Sequence, residues 1–249
     1  MTAETAPAPE TPAAGMSELG RLTGVLFDPK PAFADIVARP RWVVPLILLS
    51  LLSIVYMYLF SQRVGWERYM RKVIESSPRT ESLTAEQREQ VIQRQVPFAQ
   101  VMGYVGAVAG PAIFALAVGG VLLFVANVVL GGQLRFKQTF GITCYASVIG
   151  VISTPLAILM MHLKIPDDFD VQNPTAFNIG AYLDPETTSK WVVSVASSVD
   201  LFTFWEMALL ATGLSVAVRK LSFGRAFCWV VAPWAVYVVL KAGWTALFS

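Results

Sequence analysis

Asp200 and Glu206 lie in the middle of an otherwise apolar stretch, Trp191 to Val218, and Lys241 lies inside a second one, Ala226 to Phe248. A carboxylate in hydrocarbon is expensive and persists only when it is neutralised, paired, or turned to water inside the protein. On a continuous helix, acids six residues apart point in directions differing by about 120°. Counting about 1.5 Å per residue from the short connection Arg219–Arg225 puts Asp200 about 28 Å deep, Lys241 about 24 Å and Glu206 about 20 Å. The spacing therefore predicts that Lys241 pairs with one acid and leaves the other needing a proton or a polar neighbour. Tyr145, Ser147 and Asn127 are the candidates for that neighbour. Two readings follow: a structural ion pair that fixes helix register, or a polar site for a proton, an ion or a lipid headgroup.

The elements that must position these charges are long and apolar. The chain has 249 residues, 55% hydrophobic and only 14% charged, against about 25% charged in globular domains. Five apolar runs are long enough to cross a bilayer core of about 30 Å: 42–60, 101–130, 140–161, 191–218 and 226–248. The fold class expected is an all-α polytopic membrane protein, a five-helix bundle with a short interfacial N-terminal helix and a helical first outer loop. Residues 1–18, rich in Ala, Pro, Thr and Glu, read as a disordered leader, and 19–249 read as the membrane domain.

Charge predicts orientation. The short connections hold Arg135 and Lys137, and Arg219, Lys220 and Arg225, with no acid in either. The connection 164–190 carries Asp167, Asp168, Asp170, Asp184 and Glu186. By the positive-inside rule the N-terminus and the short loops are cytoplasmic and the C-terminus is outside. The segment 63–100 opposes this, since it carries seven Lys/Arg and parity places it outside.

Other features add detail. Pro31 to Ala38 reads as a short amphipathic helix suited to the headgroup plane, with Phe33, Ile36 and Val37 on one side. The first outer loop reads as two helices broken at Ser76-Ser77-Pro78, the second capped by Thr84 and Gln87. Gly103, Gly106 and Gly110 have the small-residue spacing that lets helices pack closely.

No H-E-x-x-H, G-x-S-x-G or phosphate-binding loop is present. The single histidine, His162, cannot supply a metal centre, and Cys144 and Cys228 indicate neither a disulfide framework nor a metal site. The expectation is no enzyme, no cofactor and no metal. A net charge of +2 gives no reason to expect nucleic acid.

Several landmarks occur together in order. Phe27-x-Pro29-x-x-x-Phe33-x-x-Ile36-x-x-x-Pro40-x-Trp42 precedes the first run. Gly131-Gly132-x-x-x-Phe136-Lys137-Gln138 follows the second, and Tyr145-Ala146-Ser147 lies in the third. Asp200-x-Phe202-x-x-Trp205 and Leu221-Ser222-x-Gly224-x-Ala226 come last. This series resembles the YIP domain of the Ypt/Rab-interacting integral membrane proteins, in its prokaryotic form. The resemblance implies a helical bundle in a prokaryotic plasma membrane without known enzymatic activity. It points to a scaffold or organiser whose partners are membrane lipids, another membrane protein or a second copy of the chain. The long cytosolic region of eukaryotic members is missing, which leaves a GTPase partner doubtful. The alternative is a small ion, proton or lipid transporter using Asp200, Glu206 and Lys241.

Overall fold

The computed structural model describes residues 15–75, 77, 80, 82–171, 173–184 and 187–248. The leader expected over 1–18 lies outside them except for its last four residues, as do Ser76 and Pro78 of the expected loop break. The described residues form ten α-helices and no strand. They are α1 Glu18–Phe27, α2 Pro29–Ala38, α3 Val43–Arg63, α4 Trp66–Glu75 and α5 Ala85–Phe124, followed by α6 Phe136–Ala146, α7 Gly150–Leu163, α8 Lys190–Ser198, α9 Leu201–Ala217 and α10 Phe223–Phe248.

Four helical stretches are long and apolar enough to cross a membrane: Val43–Arg63, Ala85–Val129, Phe136–Leu163 and Phe223–Leu247. At 21 residues, α3 measures about 32 Å and matches the bilayer core. The second is far longer, because α5 continues without a break from the helix that Thr84 starts. The Thr84 hydroxyl accepts from Gln87 N–H, and the Gln87 side chain accepts from Thr84 N–H. The expected second loop helix and second span are thus one element. Its polar first turns stand beyond the apolar run and are braced by α4, whose Met70 and Ile74 pack on Ile92.

The stretch Trp191–Val218, expected as a single helix, is two: α8 and α9, of nine and 17 residues, separated at Val199–Asp200. The third crossing helix also has a defect, a 3₁₀ turn over Ser147–Ile149 between α6 and α7. Ser147, at the start of that turn, has its Oγ 3.0 Å from the Thr143 carbonyl.

The core lies between α2, α6, α9 and α10, around Phe33, Ile36, Ile142, Tyr145, Leu210 and Leu214. This revises the interfacial segment. Phe33 and Ile36 are fully buried within the bundle instead of facing headgroups, and α2 packs on α9 and α6. A second helix, α1, precedes it and folds back as a hairpin. Pro29 opens α2 at its first position, where no N–H is missed. Phe27, at the turn, is exposed, while Trp42 meets Phe140 edge-on at 5.2 Å.

The glycine reading also changes. A Cβ at Gly106 or Gly110 would meet nothing within 4 Å, so neither glycine brings helices together. Gly103 accommodates the Trp66 ring, and the close backbone approach is at Gly119, whose Cβ would come within 3.2 Å of Phe140 Cα. Gly119→Val should therefore lower the melting temperature in detergent, at a cost of about 1–3 kcal/mol for overpacking against backbone. Gly106→Ala should leave melting unchanged, and the opposite ranking would restore the original glycine seam.

Candidate functional site

Asp200 sits at the helix break as an N-cap. Its Oδ1 accepts from Phe202 N–H at 2.9 Å and Thr203 N–H at 3.0 Å, filling two donors that a helix start leaves open. The remaining backbone groups of the break are met by the long connection after α7, which dips into the bundle. Ile179 N–H donates to the Val199 carbonyl at 3.2 Å and Leu201 N–H to the Phe177 carbonyl at 3.0 Å, so Asn178 and Asp200 face each other as an isolated β-bridge. Non-helical backbone away from water is tolerated when other protein groups satisfy it in this way. Gly180 makes the approach possible, since its Cβ would fall 2.1 Å from Ser197 Oγ.

Lys241 does not pair with either acid. Its Nζ lies 3.4 Å from the Ser194 carbonyl and 3.3 Å from Ser198 Oγ, which places the ammonium near the C-terminal end of α8, where the helix dipole favours a cation. The break explains the departure from the depth count. Asp200 turns its carboxylate onto its own helix, and α8 takes the lysine on the side packed against α10.

Glu206 remains, one and a half turns into α9. Ser147 Oγ donates to its Oε1 at 2.6 Å, so of the three expected neighbours Ser147 is the one that meets it. Tyr145 donates to Glu18 Oε2 at 2.5 Å instead, and Asn127 holds the Leu134 backbone through two bonds of 2.9 and 2.8 Å. Glu206 lines three adjoining hollows. The largest, about 810 Å³, is bounded by α3, α5, α7, α9 and the inserted connection, and presents Ser53, Ser153, Thr154, Asn178 and Asp200. A smaller one of about 320 Å³ continues along Gly106 and Gly110. The two glycines widen this space. The third, about 590 Å³, is an apolar groove between α5, α9 and α10.

The residues that carry this geometry fall within a recognisable unit, as the Yip1 domain model matches residues 23–244. The chain belongs to the Yip1 domain family. No curated protein and no solved structure matches it. The family is not known as an enzyme family.

The other landmarks of this Yip1 domain hold the bundle end that carries the α1–α2 hairpin. Gly131 has φ +67°, which favours glycine, and Gly132 N–H donates to the Ala126 carbonyl at 2.8 Å. Phe136 stacks on Phe140, Lys137 is exposed, and Gln138 Nε2 donates to the Val37 carbonyl of α2 at 3.1 Å. Pro40 lies beside Gly141.

Sequence reasoning missed the hairpin's polar network. Arg21, 1% exposed, donates through Nε to Asp35 Oδ2 at 2.7 Å, and its Nη2 lies 2.6 Å from the same oxygen. Arg39 takes Oδ1 at 2.6 Å, and Glu18 joins Arg21 at 3.5 Å while accepting from Tyr145. The signal available was the helical spacing of Glu18 with Arg21 and of Asp35 with Arg39. Burial by itself would raise the Asp35 carboxyl's affinity for protons. The bond from Arg21, with the Met16 N–H and the charges of Arg21 and Arg39, outweighs burial and holds the carboxyl below its usual range.

The contacts of Asp200 and Lys241 share no partner. In a double-mutant cycle of Asp200→Ala and Lys241→Met, thermal unfolding should therefore show additive losses within about 0.5 kcal/mol. The cap accounts for about 1 kcal/mol of the first. Strong coupling would restore the ion pair. Acid provides a second measurement. Since folded Asp35 titrates below its unfolded value of about 4, its stabilisation is complete above that value and is lost as pH falls through the lower folded one. The wild type should lose melting temperature below about pH 4, and Asp35→Asn should show a smaller loss over the same range.

Proposed function

We propose that this Yip1 domain protein is a non-enzymatic organiser of the membrane that works by holding a membrane component within its bundle. One observation carries the reading: Glu206 stands where a hydroxyl-lined chamber meets an apolar groove. Such a junction offers hydrogen bonds to one end of an amphiphilic molecule and apolar contact to the other, which is how ligand sites divide their work.

The same proposal includes five crossings, with α8 and α9 together making the fourth, in a prokaryotic plasma membrane. The hairpin end is cytoplasmic and the end bearing α4 and the inserted connection is outside. Arg135, Lys137, Arg219, Lys220 and Arg225 at one end support this, as do Asp167, Asp168 and Asp170 at the other.

A transport reading draws on the interrupted helix at Asp200, since discontinuous helices mark many substrate sites in transporters. Liposomes containing the purified chain separate the two. The organiser should leave imposed proton and potassium gradients unchanged, and after mild detergent extraction should retain a stoichiometric membrane component through gel filtration. Flux abolished by Glu206→Gln would replace it with a transporter. Single cysteines in intact cells check the orientation: one at Asp168 should react with an impermeant thiol reagent and one at Gly132 should not.

A further inference from the structure

The chamber, the smaller hollow and the groove share Glu206, and their described lining contains no Lys, Arg or His. Glu206 therefore faces all three adjoining hollows and Asp200 the chamber, with no cation lining any of them. The hydrogen bonding of both acids is also incomplete. Ser147 occupies Glu206 Oε1, and the cap bonds and Thr203 Oγ1 occupy Asp200 Oδ1. Among the described residues, no donor reaches Glu206 Oε2 or Asp200 Oδ2. Buried acceptors and charges are stable when a partner supplies both hydrogen and opposite charge. What the chamber lacks is a cationic donor.

The groove indicates what that donor is attached to. It runs along α9 between α5 and α10, which are not a closely packed helix pair, and its walls include Phe114, Val118, Leu210, Val230 and Trp234. A small soluble amine would leave this apolar space unused, whereas an acyl chain fills it. Thr203 and Glu206 line both chamber and groove, so the polar and apolar parts of one molecule can lie on either side of them.

We propose that the chamber holds the primary-ammonium headgroup of a membrane lipid against Glu206 and Asp200, with an acyl chain of the same lipid in the groove between α5, α9 and α10. The ammonium brings several N–H donors to the two open carboxylate oxygens. A trimethylammonium headgroup brings the charge but no N–H, and an anionic headgroup meets two acids. The hydroxyls of Ser53, Ser153 and Thr154 line the same chamber and serve the rest of the headgroup. This inference rests on the organiser reading above and names the component held.

Native mass spectrometry of the full chain in mild detergent tests it, with dioleoyl phosphatidylethanolamine, phosphatidylcholine and phosphatidylglycerol as probes. One phosphatidylethanolamine should be retained with about tenfold preference over each of the other two. Glu206→Gln should remove about that preference and leave the weaker binding of the others unchanged. Asp200→Asn, which keeps a good capping side chain, should reduce the preference in a variant whose fold is checked by its melting curve. Val118→Trp should block lipid by filling the groove. Equal retention of all three lipids, or indifference to both acid substitutions, would overturn the headgroup assignment while leaving a held component intact. Retention of no lipid would overturn this inference, and the organiser reading falls with it only if the gel-filtration test also finds no protein component. Binding of free ethanolamine that survives Val118→Trp, with no lipid retained, would reassign the chamber to a soluble amine and overturn the lipid.

Discussion

A polar group withdrawn from water in this bundle is costly unless it finds a partner, and the break at Val199–Asp200 is where that constraint is most demanding. Interrupting a helix in an apolar environment exposes amide hydrogens on one side and carbonyls on the other, each costing several kcal/mol if left bare. Two devices from different parts of the sequence meet them, the Asp200 carboxylate and the Phe177–Ile179 backbone. Lys241 lies close by, against the Ser194 carbonyl and the Ser198 hydroxyl of α8. The break thereby fixes the position of the inserted connection and the register of α10 against α8. It also lets α9 start at a depth that carries Glu206 to the middle of the bundle.

The hairpin at the opposite end follows the same rule with charges in place of amides. Arg21 is buried as completely as the apolar residues around it, which is affordable only because Asp35 and Glu18 surround its guanidinium. Removing one partner of such a group leaves an uncompensated charge at a cost of about 3–5 kcal/mol. The network therefore acts as a specificity device: α1 and α2 have one seating in which all three charges and the Tyr145 hydroxyl are satisfied together. Gln138 adds a further tie, from α6 to the end of α2. The apolar contacts of Phe33 and Ile36 hold the hairpin in the bundle, and the polar ones set its register.

How much of this was legible depended on the range of the signal. Hydropathy averages over a window, so the helical membrane class and the stretches now seen as α3, α6–α7 and α10 could be read directly. The same averaging hid the break, because Val199 and Asp200 are two residues in an apolar run of 28. The local cue was that aspartate is a poor interior residue and a good cap. Thr84 and Gln87 were read correctly since both halves of the capping box lie three residues apart. Glycine spacing describes one helix surface without saying what faces it, which is why Gly106 and Gly110 suggested packing and in fact border open space. Phe33 and Ile36 failed in the same way, as an apolar stripe looks alike whether it meets lipid or protein.

The acids show the limit of depth arithmetic. Three groups at similar heights suggested a pair and a spare, but height says nothing about direction once a helix is interrupted. Asp200 became a helix cap, and Lys241 found carbonyl and hydroxyl oxygens instead of a carboxylate. Glu206 is then the acid least explained by the fold. Among the described residues one serine hydroxyl is its hydrogen-bond partner, a small return for withdrawing a carboxyl from water. Around it the chain has left space: glycines on α5, hydroxyls on α3 and α7, and a gap between α5 and α10. An acid that borders three hollows and meets a single hydroxyl has the form of a site that a second molecule completes.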